Sequence, residues 1–118
     1  MRFIPTRIHG ALDYLWGLLL IAAPFAIGFA SEGRAPWIAV IFGAGAIGYS
    51  LLTRYELGIL KLIPMPVHLA FDAVAGLALA LMPLVLGVSS AAGRTFVAFG
   101  LFSLLASLLT RRHAGPST

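Results

Sequence analysis

The chain has 118 residues, 60% of them apolar and 10% charged, with no cysteine, a formal charge of +4 and a mean hydropathy of +1.00. A single domain of this size cannot hide so much apolar surface from water, so a free water-soluble domain is excluded and a bilayer is called for. Without cysteine there are no disulfides, no thiolate catalysis and no Cys-ligated metal or iron–sulfur centre. The eight Lys and Arg stand at the ends of apolar runs and form no patch, which argues against a nucleic-acid surface and makes them topology signals.

The first apolar run, Arg7 to Phe29, has the outline of a secretory signal, with Arg2 and Arg7 ahead of it and Gly28-Phe29-Ala30 as a small-residue end. It is longer than a secretory core of about 7–15 residues. It also carries His9 and Asp13 and has a twin in mid-chain, so it is expected to be a membrane span. A second span is expected from Pro36 to Thr53, opening on a proline whose missing N–H is harmless at a helix start. The third runs from Val67 to Val88 and the fourth from Thr95 to Thr110. Each approaches the ~20 apolar residues needed to cross the hydrocarbon. The tail at 113–118, rich in Gly, Pro and Ser, is expected to be loose.

Spans one and three are copies of each other. A constant offset of 59 places His9 on His68, Asp13 on Asp72, Gly17 on Gly76, Leu20 on Leu79, Pro24 on Pro83 and Gly28 on Gly87. Steps of three and four put these positions on one helical stripe. Spans two and four also match, Leu51-Leu52-Thr53-Arg54 returning as Leu108-Leu109-Thr110-Arg111 at an offset of 57. The lead-ins agree as well, Arg2-Phe3-Ile4-Pro5 against Lys61-Leu62-Ile63-Pro64. The expectation is one all-α membrane domain over 1–118, built from two helical-hairpin repeats at about 1–59 and 60–112. An even number of helices per copy makes the repeats parallel, so both His/Asp pairs lie at the same depth.

Arg2, Arg7, Arg54, Lys61, Arg111 and Arg112 fall on one side, and Arg34 and Arg94 on the other. The basic side is expected to face the cytoplasm, which puts both termini and both His/Asp pairs on the cytoplasmic side of a bacterial inner (cytoplasmic) membrane. Close helix packing is expected at Gly17, Gly43, Gly48 and Gly76, where small residues let backbones approach. Pro24 and Pro83 each remove a helix hydrogen bond and predict kinks in the outer half of spans one and three. The tyrosines and tryptophans fit interfacial belts and bundle contacts.

The chemistry rests on His9, Asp13, His68 and Asp72, two i,i+4 pairs that each share one helix face. A carboxylate in a membrane segment is costly, and here the cost occurs twice in register. Two imidazoles and two carboxylates brought together suit a divalent transition metal. They also suit a proton relay, because His changes charge near neutral pH. Facing histidines can instead sandwich a haem. The structural alternative is an ion pair closing each hairpin, Asp13 to Arg54 and Asp72 to Arg111, with no ligand at all.

The frame H-x-x-x-D-x-x-x-G-x-x-L-x-x-x-P-x-x-x-G, present twice with Thr53-Arg54-Tyr55-Glu56-Leu57-Gly58 between the copies, resembles the SPW-repeat family of small bacterial integral membrane proteins. That resemblance implies a four-span double repeat and no particular activity. The namesake Ser-Pro-Trp is absent: Ala23-Pro24-Phe25 and Met82-Pro83-Leu84 keep only the proline. The function expected is non-enzymatic, the binding or passage of a small ion, proton or cofactor at the His/Asp cluster. The alternative is a structural or partner-binding module that the cluster clamps, with a haem-binding electron carrier third. The lipid bilayer is the first partner, and further copies of the chain, as a homo-oligomer, are the second.

Overall fold

The computed structural model describes residues 2–53, 55, 57–88 and 90–111. Four helices follow in order: α1 (Thr6–Ala23), α2 (Ala35–Leu51), α3 (Met65–Val85) and α4 (Ser90–Leu109). A π-helical turn, Pro24–Gly28, extends α1. The helices form two hairpins, α1 along α2 and α3 along α4, which meet through α1 with α4 and α2 with α3. Helix α4 begins five residues before the expected Thr95, taking Arg94 into its first turns.

The repeated Ile-Pro lead-in explains where α1 and α3 begin. Pro5 and Pro64 are extended, with ψ 147° in both, and each proline carbonyl accepts the first helical hydrogen bond, from His9 and His68 respectively, at 3.0 Å. The same lead-ins form two parallel bridges, Ile4 with Thr110 and Ile63 with Thr53. Each copy's opening segment is thus tied to the end of a hairpin's second helix. The Arg2 guanidinium strengthens one tie by donating to the carbonyls of Ser107 and Thr110 at 2.9 and 2.8 Å. Those carbonyls lack helical donors, and a cation at a helix C-terminus meets the negative end of the dipole.

The repeated stripe is the buried seam. His9, Asp13, Gly17 and Leu20, and their counterparts His68, Asp72, Gly76 and Leu79, are all buried, whereas the off-stripe Leu18 and Leu77 are exposed. In each hairpin two glycines let the backbones touch. A methyl on Gly17 would lie 2.7 Å from the Gly43 carbonyl oxygen, and one on Gly76 2.6 Å from that of Gly100. Gly48 does not belong to this contact, since a Cβ there meets nothing within 4 Å. On a helix it lies five residues beyond Gly43, which turns it off the packed face.

The two prolines act differently. After Ala23 the helix widens into the π-turn, closed by Phe29 N–H donating to the Pro24 carbonyl at 2.9 Å, and Gly28 takes φ +103° to end it. Proline lacks the N–H of regular helical pairing, and a wider turn spares the lost bond. Pro83 stays inside α3, which ends two residues later as Leu86 turns extended.

Beyond the seam, large apolar side chains such as Leu15, Trp37, Ile41, Val74, Leu101 and Leu105 point outward from the bundle. Phe25 and Leu84, flanking the two prolines, are 75% and 83% exposed. Apolar surface this extensive is stable only against lipid. Three helices are long and apolar enough to cross a membrane, and α2, with 17 residues, stands at the short limit. The 46 Å long axis matches a bilayer with its headgroups.

Candidate functional site

His9, Asp13, His68 and Asp72 converge at the end of the bundle that carries the lead-ins. Their ligand atoms all lie within 4.8 Å of one another, and all four residues are buried. His9 Nε2 stands 2.6 Å from Asp72 Oδ2, and His68 Nε2 stands 2.6 Å from Asp13 Oδ2. The contacts within each i,i+4 pair are longer, 3.1 and 3.2 Å. Nitrogen and oxygen therefore alternate around a four-atom ring, and its short sides join one copy of the repeat to the other. The two imidazoles meet edge to face at 78° with centroids 5.6 Å apart, which puts both at one level.

The far nitrogens are held identically. His9 Nδ1 lies 2.7 Å from Thr110 Oγ1, and His68 Nδ1 lies 2.7 Å from Thr53 Oγ1. Each threonine hydroxyl already donates its proton to the carbonyl one turn back, Ala106 and Tyr49, at 2.6 Å. Its oxygen can then only accept, so both histidines carry a proton on Nδ1 and donate it to threonine. Both Nε2 atoms are thereby aimed at the carboxylates. Fixing one ring nitrogen through a hydrogen bond so that the other can serve as a ligand is how proteins prepare imidazoles for a metal.

One departure from two-fold symmetry stands out. The Tyr49 hydroxyl donates to Asp72 Oδ1, while the matching position in the second copy is Ala106. Asp72 is consequently 2% exposed and Asp13 8%. Tyr49 also packs edge-on against His68, with centroids 4.9 Å apart.

The expected ion pair of Asp72 with Arg111 is not formed, and the one of Asp13 with Arg54 involves a residue outside those described. Asp72 pairs with His9 and His68, as does Asp13, and the exposed Arg111 is in no ion pair among the described residues. The reason is reach: Thr110 points inward to His9, so its neighbour Arg111 turns out, its backbone N–H donating to Ile4. Arg54, Glu56, Arg112 and the tail at 113–118 lie outside the described residues. Thr53, Thr110 and Tyr49 are site residues that motif reasoning passed over. The signal for the threonines was present in the repeated Leu-Leu-Thr-Arg, where the conserved spacing covers the threonine as well as the arginine.

A dry layer closes the bundle beyond the cluster. Leu20, Leu79, Phe29 and Phe96 are all fully buried, and the two phenylalanines meet edge to face at 5.9 Å. The Trp16 indole N–H donates to the Phe99 carbonyl at 2.9 Å beside them.

Four apolar helices around a buried imidazole–carboxylate cluster define a small multi-pass helical membrane protein. The chain belongs to the SPW repeat domain family, whose family model matches residues 7–110. Neither the curated proteins nor the solved structures provide a match.

Proposed function

We propose that this protein holds one divalent first-row transition metal ion, zinc-like in its preferences, between His9, Asp13, His68 and Asp72, near the cytoplasmic face of the inner membrane. The observation that carries this reading is the pair of threonine-fixed Nδ1–H groups, which leaves two Nε2 atoms and two carboxylate oxygens facing one point. Two imidazoles and two carboxylates are a donor set such metals accept. Bonds of about 2.0–2.2 Å to a tetrahedral ion need ligand separations somewhat wider than the ring's 2.6–3.2 Å sides, so a small outward movement would admit it.

Charge supports the same reading. Each 2.6 Å contact in the ring contains one proton, so the ring holds two protons. One divalent cation replaces them with no change in net charge, which matters in a medium that penalises unpaired charge. Holding is favoured over passing, because the Leu20, Leu79, Phe29 and Phe96 layer separates the cluster from the opposite end of the bundle. Haem fits less well, since the carboxylates stand where a macrocycle bound to both Nε2 atoms would lie.

Metal analysis of purified protein tests the proposal. About one equivalent per chain in wild type, lost in His9→Ala/His68→Ala, is the expected result. The second reading, a proton-closed clamp, draws on the completeness of the ring without any ion. It requires no metal in wild type and a lower unfolding temperature in the double variant. A Soret band in the purified protein would redirect both readings to haem.

A further inference from the structure

The two hairpins differ at the lead-in end of the bundle. Between α3 and α4 a cleft of about 230 Å³ is left open, with Arg2 at that end and Leu69, Ala70, Ala73 and Leu108 along its walls. It follows α3 from Pro66 to Ala73, about 10 Å of helix at 1.5 Å per residue. Pockets for compact ligands measure roughly 300–1,000 Å³, so this cleft suits a slender chain.

The first hairpin fills the counterpart of the cleft with its own side chains. The repeat offsets place Gly10 at Leu69, Tyr14 at Ala73 and Ser50 at Ser107. The Tyr55 ring packs on Gly10, where a methyl group would collide with it, and is buried there. Tyr14 donates to the Leu57 carbonyl at 2.8 Å beside it. The second copy has alanine where Tyr14 stands, and no tyrosine follows Thr110.

Charge says what fits the open cleft. Both bonds from Arg2 to the Ser107 and Thr110 carbonyls leave through Nη1, and a guanidinium carries three further N–H groups on Nη2 and Nε. Arg2 is in no ion pair among the described residues. The exposed Arg111 adds a second positive charge directly after Thr110. The described carboxylates lie elsewhere, Asp13 and Asp72 in the ring and Glu32 in the turn between α1 and α2 at the opposite end. The guanidinium fork matches phosphate oxygens, and basic pockets between membrane helices hold anionic headgroups.

We propose that the α3/α4 cleft binds one anionic glycerophospholipid of the surrounding leaflet, its phosphate on Arg2 and one acyl chain along Ala70 and Ala73. The acyl chain takes the place that Tyr14 and Tyr55 fill in the first hairpin. The proposal does not depend on what the His/Asp ring holds.

The test uses the whole protein in detergent, with retained lipid counted by native mass spectrometry. Phosphatidylglycerol and phosphatidylcholine with identical acyl chains are the probes. Wild type is expected to hold one phosphatidylglycerol about fivefold more tightly than phosphatidylcholine. Arg2→Gln should lose that preference. Ala73→Tyr, which installs the first copy's residue, should lower retention of phosphatidylglycerol to a similar degree. Lys61→Gln removes the counterpart cation of the filled hairpin and should keep wild-type values. Excess inorganic phosphate should leave the lipid in place. Unfolding temperatures separate a lost site from a lost fold, and Ala73→Tyr carries the test alone if Arg2→Gln unfolds. Equal retention of the two lipids by wild type overturns the proposal, as does wild-type behaviour in either folded variant. A loss in Lys61→Gln as large as in Arg2→Gln makes the preference one of net charge and overturns the site. Displacement by inorganic phosphate overturns the lipid as its occupant.

Discussion

His9 Nδ1 and Thr110 Oγ1 stand 2.7 Å apart although their residues are 101 positions apart in the chain. The copy-related contact, His68 with Thr53, has the same length across 15 residues. One geometry is thus reached by two different routes along the chain, so the requirement lies in the contact and not in the loop that delivers it.

Thr110→Val and Thr53→Val keep shape and remove the acceptor for Nδ1–H. Each is expected to lower metal affinity about 10–100-fold, the usual effect of losing the partner that orients a ligand histidine. Competition against a chelator of known strength measures it. Equal affinity in wild type and both variants would mean that the threonines do not prepare the imidazoles.

Metal uptake should release two protons per ion, one from each short side of the ring. Apparent affinity then falls about a hundredfold for each pH unit of acidification wherever both protons are bound. The sign follows from competition: protons and metal seek the same Nε2 and Oδ2 atoms. Isothermal titration in buffers of different ionisation heat counts the protons, and a count of zero contradicts the ring as described.

Tyr49→Phe removes the hydroxyl that donates to Asp72 and has no counterpart to remove beside Asp13. A hydrogen bond to a charged, buried acceptor contributes about 1.5–3 kcal/mol, so unfolding in detergent should show a loss of that order. Asp72→Ala should likewise cost more stability than Asp13→Ala, because Asp72 is the more buried and has one more partner.

The glycine contacts give a sharp pair of expectations. Gly100→Val forces α3 and α4 apart where the Gly76 backbone touches, and overpacking of that kind costs about 1–3 kcal/mol or more. Gly48→Ala meets nothing and should be neutral or slightly stabilising, since alanine is the better helix former. Unfolding temperatures of the two variants side by side decide the matter.

Much of the fold was legible in the residues alone. The doubled stripe from His9 to Leu20 and from His68 to Leu79 announced two equivalent helices, and the burial of its members follows from their shared face. The level placement of the two His/Asp pairs followed from an even helix count per repeat. Gly17, Gly43 and Gly76 were readable as packing residues because small side chains at helical spacing leave few other uses in lipid. Gly48 was misread for lack of a partner helix: spacing within one helix does not say which face another helix will take.

Composition and repetition determined that this chain is a membrane hairpin written twice, because apolar surface on this scale and a periodic buried stripe have one stable solution in lipid. Only the tertiary structure decided that each aspartate pairs with the other copy's histidine, and that a threonine hydroxyl meets the far nitrogen of each imidazole. Partner choice between side chains on different helices depends on helix rotation and depth to within an ångström, and no one-dimensional spacing contains that information.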